Sequence, residues 1–404
     1  MSLPVLLVVS PLRWSLSGRR PQHLLARLAE RWQVLFVETP QHDRGAPRLD
    51  VAEVAPHLTV LTPRTPLRAT GFHDSQHGPL QRLLRQHIDA RRLHVAVAWL
   101  CTPMALPLAN ALGADCLVYD CMEELSPADG ACPQLQARDL ALMRQAALVL
   151  TAGPSQFNVR RHLHDNIHCL PSAVDPGHFS PATLDIRGPL AQQARTLQSA
   201  LPRARLGFAG VIDERLDMGL IAALAERHPA WSIIMAGPVT GLDPARLPQR
   251  PNIHWLGSQS YDLLPHLLAG WDLALMPFAL NAPTRFTSPT QTLEFMAAGL
   301  PVVSTALHDV QALYFPAVTI ASSQGFVRAC EAVLAEGTLA RCARLAEMAR
   351  RVARHSWTGT ADTVHRLLAQ ALAGAHEPTP AGPAERWRVT ADRPLPAAPS
   401  VARA

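Results

Sequence analysis

The sequence contains no lysine, so its 37 lysine-plus-arginine positions are all arginines. These are nearly balanced by 32 acidic residues, which leaves a formal net charge of +5. There is no basic helix and no run of interleaved basic and aromatic residues, which argues against nucleic-acid binding. The modest positive charge fits attraction to anionic ligands or to an anionic lipid surface.

Paired cysteine motifs and long apolar runs are also missing. The seven cysteines are irregularly spaced without a Cys-x-x-Cys, which argues against a disulfide framework and a zinc site and favours a reducing compartment. No apolar run reaches the roughly 20 residues of a membrane span. The run at 4–10 has no basic leader or cleavage site, so we interpret it as a buried first strand and expect a cytoplasmic protein.

Two further absences concern cofactors and metals. No Gly-x-Gly-x-x-Gly follows the first strand, which argues against a dinucleotide oxidoreductase. His162 and His164 lie two residues apart, but no completed ligand set follows them, so no metal site is predicted.

What the chain does have is an alternation of short apolar runs with helical stretches, interrupted once and then resumed. Strands that are apolar throughout are typical of parallel sheets covered on both faces by helices. We therefore predict an α/β protein with two Rossmann-like, doubly wound domains facing across a cleft. The predicted parts are an N-terminal domain at 1–185, a linker at 186–204, a C-terminal domain at 205–355, a C-terminal helix at 356–375 that could cross back to the N-terminal domain, and a disordered Pro/Ala-rich tail at 376–404.

The most informative segment is 277–305, which reads as a strand end, a polar loop, a helix and another strand. Ser288 is a good N-cap and Pro289 suits the first helical position, so the amides of this helix start could bind a phosphate. Gly299 ends the helix before the next strand. Glu294 lies in the first turns of this helix, where a glutamate on its own is most simply a solvated residue.

The run from Glu294 through Phe-Met-Ala-Ala-Gly-Leu-Pro-Val-Val resembles a signature of GT-B glycosyltransferases of group 1, similar to family 4. The resemblance implies that Glu294 binds the ribose hydroxyls of a nucleotide. The family has an earlier glutamate near the donor sugar, and Phe286 stands in its place here. The Ser-Pro-Thr-x-Thr-Leu-Glu pattern is similar to the bacterial teichuronic acid biosynthesis subgroup, in which Ser288 and Thr290 would replace that carboxylate.

Two other strand ends resemble the same family. The segment starting at Gly210 resembles the first strand and turn of the nucleotide domain, and the segment ending at Gly257 resembles the loop that meets the base. The family usually presents an arginine and a lysine to the diphosphate in the first of these turns. Val211 and Leu216 occupy those two positions here.

The resemblance therefore assigns the diphosphate to Arg215 and Arg285, whose planar guanidinium groups can pair with two oxygens at once. Arg215 has an equally good alternative, which is a surface ion pair with Asp213 or Glu214.

In the N-terminal half, Gly18 falls where the family has a glycine-containing loop near the donor phosphates. Arg20 and His23 follow it and could contact donor or acceptor, or simply belong to the next helix. Asp120 falls at a strand end where many members have His-Asp. Asp120 or Glu123 could bind the acceptor or help to deprotonate it, although capping a helix is an even alternative for Asp120.

These resemblances imply a glycosyltransferase that takes a sugar from a UDP- or GDP-linked donor and passes it to a glycan or lipid-linked acceptor in cell-surface polysaccharide synthesis. The C-terminal domain would hold the donor and the N-terminal domain the acceptor. No Asp-x-Asp occurs, so the reaction is expected to need no metal or cofactor. The resemblance further implies retention of anomeric configuration. The subgroup and the modest positive charge favour peripheral association at the inner membrane face. The alternatives are a sugar-nucleotide epimerase or hydrolase, and a non-catalytic partner protein of the same fold.

Overall fold

The computed structural model describes residues 3–15, 20–122 and 133–375. The strands are β1 Val5–Val9, β2 Gln33–Val37, β3 Gln41–His42, β4 Arg48–Ala55, β5 Leu58–Thr65, β6 Val95–Leu100, β7 Cys116–Cys121, β8 Leu148–Thr151, β9 Ile167–Cys169, β10 Arg205–Ala209, β11 Ser232–Ala236, β12 Ile253–Gly257, β13 Leu273–Met276, β14 Val302–Thr305 and β15 Thr319–Ala321. The helices are α1 Arg20–Leu28, α2 Asp74–Ala90, α3 Leu106–Leu112, α4 Pro133–Gln145, α5 Pro154–Arg160, α6 Pro176–Phe179, α7 Pro189–Gln198, α8 Met218–Arg227, α9 Leu264–Leu268, α10 Gln291–Ala297, α11 His308–Tyr314, α12 Phe326–Leu334, α13 Thr338–Arg354 and α14 Trp357–Ala375.

The strands form two separate sheets. The first has the order β3-β5-β2-β1-β6-β7-β8-β9, with β4 antiparallel to β5 and the other pairs parallel. The second has the order β12-β11-β10-β13-β14-β15 and is parallel throughout. In each sheet the strand order reverses direction once, beside β1 in the first and beside β10 in the second. Ligands of such sheets bind outside the carboxyl ends of the strands at these switch points.

Apolar layers cover both faces of the first sheet. One layer holds α1 and α14, and the other holds α2, α3 and α4. Strands β1 and β8 are buried along their whole length, as the apolar runs predict. The two predicted doubly wound sheets are thus present.

Helix α14 packs against the first sheet although it follows the second in the chain. Its Trp357, Val364 and Leu368 are buried in the same cluster as Leu24 and Leu28 of α1. The N-terminal domain is therefore built from two separate parts of the chain.

The segment 186–204 differs from its expected role as a linker. It contains α7, whose Ala194 is buried beside Leu263 and Leu267 of the second sheet's domain. The Pro, Gly and Gln content suggested an open connection, but alanines on one face of α7 give it a side to bury.

The predicted disordered tail at 376–404 lies outside the described residues. Because α14 ends at Ala375 and the tail is rich in Pro and Ala, we expect a chain that stops at Ala375 to keep the Tm of the full chain. Thermal unfolding of the two chains, followed by circular dichroism, checks this. A clearly lower Tm in the shortened chain would mean that the tail packs on the folded protein.

Candidate functional site

The loop after β13 leads into α10, and this helix begins later than expected. It starts at Gln291, with Thr290 in the capping position, so Ser288 is not the N-cap and Pro289 is not helical. The Thr290 hydroxyl donates a hydrogen bond of 3.1 Å to Oγ of Ser172, a residue of the segment after β9. This hydrogen bond joins the start of α10 to the first domain.

Glu294 lies on α10 with its side chain half-buried. Among the described residues, no hydrogen bond or ion pair reaches its carboxylate. Burial raises the pKa of the Glu294 carboxyl to about 7. The pKa of Tyr261 is raised, first by burial and next by the negative charge of Glu294. Glu294 and Tyr261 are therefore neighbours. A half-buried acceptor without a partner is costly unless a ligand supplies donors.

Three glycines line the strand ends next to α10. Gly210 follows β10 at φ 154°, Gly237 follows β11 at φ 152°, and Gly257 ends β12 at φ 66°. A Cβ on Gly237 would lie 1.7 Å from the Gly210 carbonyl oxygen, so the two backbones touch. A Cβ on Gly210 would lie 2.6 Å from the Gln291 side-chain nitrogen of α10. Glycine at 210 and 237 therefore permits this close packing at the switch point, whereas no atom lies within 4 Å of where a Cβ on Gly257 would stand.

The two arginines assigned to the diphosphate differ in their surroundings. Arg215 donates from Nε and from one terminal nitrogen to Asp213, with the shortest distance 2.7 Å, so the ion pair left open as an alternative does form. Its side chain is still 39% exposed. Arg285 is exposed and lies over the Phe286 ring, 5.2 Å from its centroid. Both stand on loops after β10 and β13, one on each side of the switch point.

On the N-terminal side, Arg20 and Asp120 meet each other. Asp120 lies within β7 and is 3% exposed, so it does not end the strand facing open solvent. Arg20 is 8% exposed, 3.6 Å from the Asp120 carboxylate, and donates to the Leu170 carbonyl at 2.6 Å. Burial raises the pKa of Asp120 and the Arg20 charge opposes that rise. Ligand contact by either residue stays a prediction, and it would require this pair to open.

His23 of α1 lies in an aromatic cluster that joins the two domains. Its ring stacks on Trp357 at 5.3 Å and approaches Tyr261 at 5.4 Å. Tyr261 stacks in turn on His178 at 4.3 Å. Burial lowers the pKa of His23, and Arg27 lowers it further. The structure thus places His23 against protein groups, and contact with donor or acceptor remains a prediction. Gly18 and Glu123 lie outside the described residues.

A second contact joins loops at the carboxyl ends of both sheets. Asp309, at the start of α11, is 1% exposed and accepts a hydrogen bond from the Ser155 amide of α5 at 2.8 Å. A Cβ on Gly153 would lie 1.9 Å from the Asp309 Oδ2 and 3.1 Å from Ser288 Cβ. The carboxyl edges of the two sheets therefore face each other. No sequence pattern marked Asp309 or Gly153, because their role depends on how the domains meet.

Residues 203–336 match a family model described as glycosyl transferases group 1. The match covers about a third of the chain, and over this segment the chain is similar to that family. The segment contains the glycines at the switch point, both candidate arginines and Glu294, so the predicted resemblance is confirmed for this segment.

A curated relative is TuaH of Bacillus subtilis (strain 168), which carries the name teichuronic acid biosynthesis glycosyltransferase. It is 32% identical over 139 residues, which are 32% of this chain and 35% of TuaH. The chain thus matches about a third of that relative's length.

Solved structures with the same architecture cover nearly the whole chain. Sucrose-phosphate synthase from Thermosynechococcus elongatus has a TM-score of 0.69 at 15% identity, with 92% of this chain and 100% of that chain covered. HepE from Anabaena, in complex with UDP and glucose, has a TM-score of 0.66 at 14% identity, with 91% and 100% covered. The predicted GT-B fold is confirmed: the group 1 segment is the core of its second domain.

Proposed function

We propose that the protein is a glycosyltransferase that moves a sugar from a UDP- or GDP-linked donor to a glycan or lipid-linked acceptor in cell-surface polysaccharide synthesis. The group 1 segment holds the donor and the N-terminal domain presents the acceptor. The group 1 match, the similarity to TuaH and the fold shared with HepE support this proposal.

The observation that carries the proposal is the Glu294 carboxylate. No residue in the described ranges bonds to it, and it lies near the switch point of the second sheet. Vicinal hydroxyls of a ribose would supply the missing donors, and hydrogen bonds to a carboxylate are the strong kind. Next to Gly257, at the end of β12, no atom lies within 4 Å of where a Cβ would stand, so a ligand can approach the backbone there.

In the proposed mechanism, the acceptor hydroxyl attacks on the face from which the diphosphate leaves, so anomeric configuration is retained. Arg215 and Arg285 stabilise the charge that develops on the leaving diphosphate. Ser288 and Thr290 lie between Arg285 and Glu294 in the chain and would contact the donor sugar. Because the Thr290 hydroxyl also bonds to Ser172, donor binding and domain contact share this loop.

The cellular place of the reaction is part of the proposal. No helix among residues 3–15, 20–122 and 133–375 is long and apolar enough to cross a membrane. We propose peripheral association with the inner face of the plasma membrane, where the modest positive charge would favour anionic lipids.

Ligand-dependent stabilisation and product analysis test the function. A nucleoside diphosphate at about 100 times its Kd should stabilise the protein by about 2.7 kcal/mol, seen as a higher Tm. Incubation with donor sugars, with and without acceptors, then separates transfer from hydrolysis or epimerisation. If no nucleoside diphosphate or nucleotide sugar raises the Tm, the proposed function is wrong.

We expect transfer activity to survive chelation. The diphosphate contacts proposed above are arginines, and no group of three or more His, Cys, Asp or Glu suited to a metal occurs in the described ranges. Initial rates should be equal before and after dialysis against EDTA. Complete loss of activity that manganese or magnesium restores would contradict this mechanism.

We also expect the contribution of the ribose to depend on pH. The ribose hydroxyls bind the ionised carboxylate, so with a pKa of about 7 in the free protein their contribution is complete above pH 7 and is lost as pH falls below it. The measurement is the ratio of the Kd values of the ribose and 2′-deoxyribose nucleotides at several pH values between 5.5 and 8.5. Titration of the phosphates cancels in this ratio, because both nucleotides carry the same phosphates. A ratio that does not change with pH would show that Glu294 is not the ribose acceptor.

A further inference from the structure

A pocket lies at the switch point of the N-terminal sheet, opposite the candidate nucleotide site. Its walls come from Pro11 and Leu12 after β1, from the turn at 101–104 after β6, and from Met122 after β7. Leu135 of α4 completes it. The cavity volume is about 260 Å³. This is where a doubly wound sheet binds its ligand, and the proposed function assigns this domain to the acceptor.

The side chains of the pocket are predominantly apolar, and its polar groups already have partners. The Thr102 hydroxyl accepts from the Met104 amide at 3.4 Å, and the Tyr119 hydroxyl donates to Asp139 at 2.5 Å. The Leu12 amide donates to Ser10 Oγ at 3.1 Å.

The neighbouring backbone and the nearest cation are also paired. The Cys101 amide donates to the Val9 carbonyl at 3.0 Å, and the Met104 carbonyl is 3.0 Å from His77 Nε2. Arg138 donates to the Met104 sulfur at 3.4 Å and forms an ion pair with Asp74. The pocket thus offers few free donors or acceptors to a ligand.

A bare sugar is a poor occupant for such a cavity. Each buried sugar hydroxyl would lose water without gaining a partner, whereas an apolar group gains from burial. A cavity of about 150 Å³ lined by apolar side chains is enough to bind benzene. The larger volume here suits a short length of alkyl or isoprenyl chain.

We propose that this pocket binds the apolar chain of a lipid-linked acceptor, next to the sugar or phosphate that faces the donor. This inference rests on the proposed function, because it specifies which of the two acceptor classes is used. It predicts that the protein selects acceptors by their alkyl or isoprenyl chain rather than by a second sugar.

The experiment uses the full-length protein and n-alkyl β-glucosides from methyl to octyl, below their micelle-forming concentrations. Affinity should rise about fourfold for each added methylene until the pocket is full. Binding is measured by calorimetry in the presence of UDP, and binding of UDP alone is measured separately.

Two variants and a control locate the site. Leu12→Asn and Met104→Gln make the pocket polar with little change in size, and each should remove most of the chain-length dependence while leaving UDP binding intact. Leu140→Asn is the matched control, since Leu140 is an exposed apolar residue of α4 outside the pocket. It should keep the wild-type dependence.

A second measurement does not depend on the variants folding. In protein labelled with ¹³C at the methionine methyl groups, octyl glucoside should shift the signals of Met104 and Met122, and leave that of Met348, buried in the other domain, in place. Affinity that is independent of chain length, or shifts elsewhere without shifts at these two, would overturn the inference. If UDP binds normally in that case, the proposed function stands, whereas absence of UDP binding counts against the proposed function itself.

Discussion

Replacing Glu294 with glutamine is expected to weaken nucleoside diphosphate binding about ten- to a hundredfold, which corresponds to roughly 1.4–2.8 kcal/mol. Glutamine keeps the size and one acceptor oxygen but removes the charge that strengthens both ribose hydrogen bonds. Calorimetric Kd values for the wild type and Glu294→Gln give the change directly. The 2′-deoxyribose form should bind the wild type more weakly, but bind the variant almost as well as the ribose form.

This difference between the wild type and Glu294→Gln, in how each responds to loss of the 2′-hydroxyl, distinguishes a ribose contact from damage to α10. In the ligand-free protein the raised pKa of Glu294 means that its ionisation disfavours folding. The contribution of Glu294 to the free energy of unfolding is greatest below about pH 4.5, falls as the pH rises from there to about 7, and is constant above. The Tm of Glu294→Gln at pH 8 should therefore be no lower than that of the wild type. Glu226→Gln, an exposed residue of α8, is the control and should bind normally. If the wild type and Glu294→Gln bind the ribose nucleotide equally well, Glu294 does not contact the ribose and is a solvated helix residue.

Gly153→Ala should have the second large effect, because it acts on the contact between the domains. The added Cβ would fall 1.9 Å from the Asp309 carboxylate, so the two loops must separate. Overpacking of this kind costs about 1–3 kcal/mol. A displacement of about 1 Å between donor and acceptor can lower the rate about a hundredfold. We therefore expect kcat/KM to fall about a hundredfold. The Kd for UDP should change little, because the second domain determines it.

A pair of control variants makes this prediction specific. Gly78→Ala, within α2 and with its nearest neighbour 3.8 Å away, should stabilise the protein by about 0.5–1 kcal/mol. In an Asp309→Ala background the clash with the carboxylate is absent and only the 3.1 Å approach to Ser288 Cβ remains, so Gly153→Ala should then cost much less. Equal losses in both backgrounds would show that Gly153 does not act through Asp309.

The parts of the fold that the sequence predicts are those whose signal is local. Fully buried strands such as β1 and β8 are short apolar runs, and they stand out because parallel sheets hide both faces. The hairpin of β4 and β5 was not foreseen. Most of β4 is exposed on both faces, so its sequence lacks the alternation that marks a half-buried strand.

The same distinction applies to the site. Glu294 and the switch-point glycines Gly210 and Gly257 are marked by motifs within one domain, whereas the local sequence at Gly237-Pro238 after β11 indicates only a strand end. The late start of α10, the Arg20–Asp120 pair and the Asp309 contact depend on partners more than 100 residues away or on burial. No local pattern specifies such partners.

The return of α14 to the first sheet sets an order of events during synthesis. A ribosome releases the chain from the N-terminus, and domains generally begin folding as they emerge. The first domain cannot complete its core in that way, because Trp357, Val364 and Leu368 emerge only after the whole second domain. Until α14 has been synthesised, the apolar face of α1 stays uncovered, and the nascent first domain is accessible to chaperones and proteases.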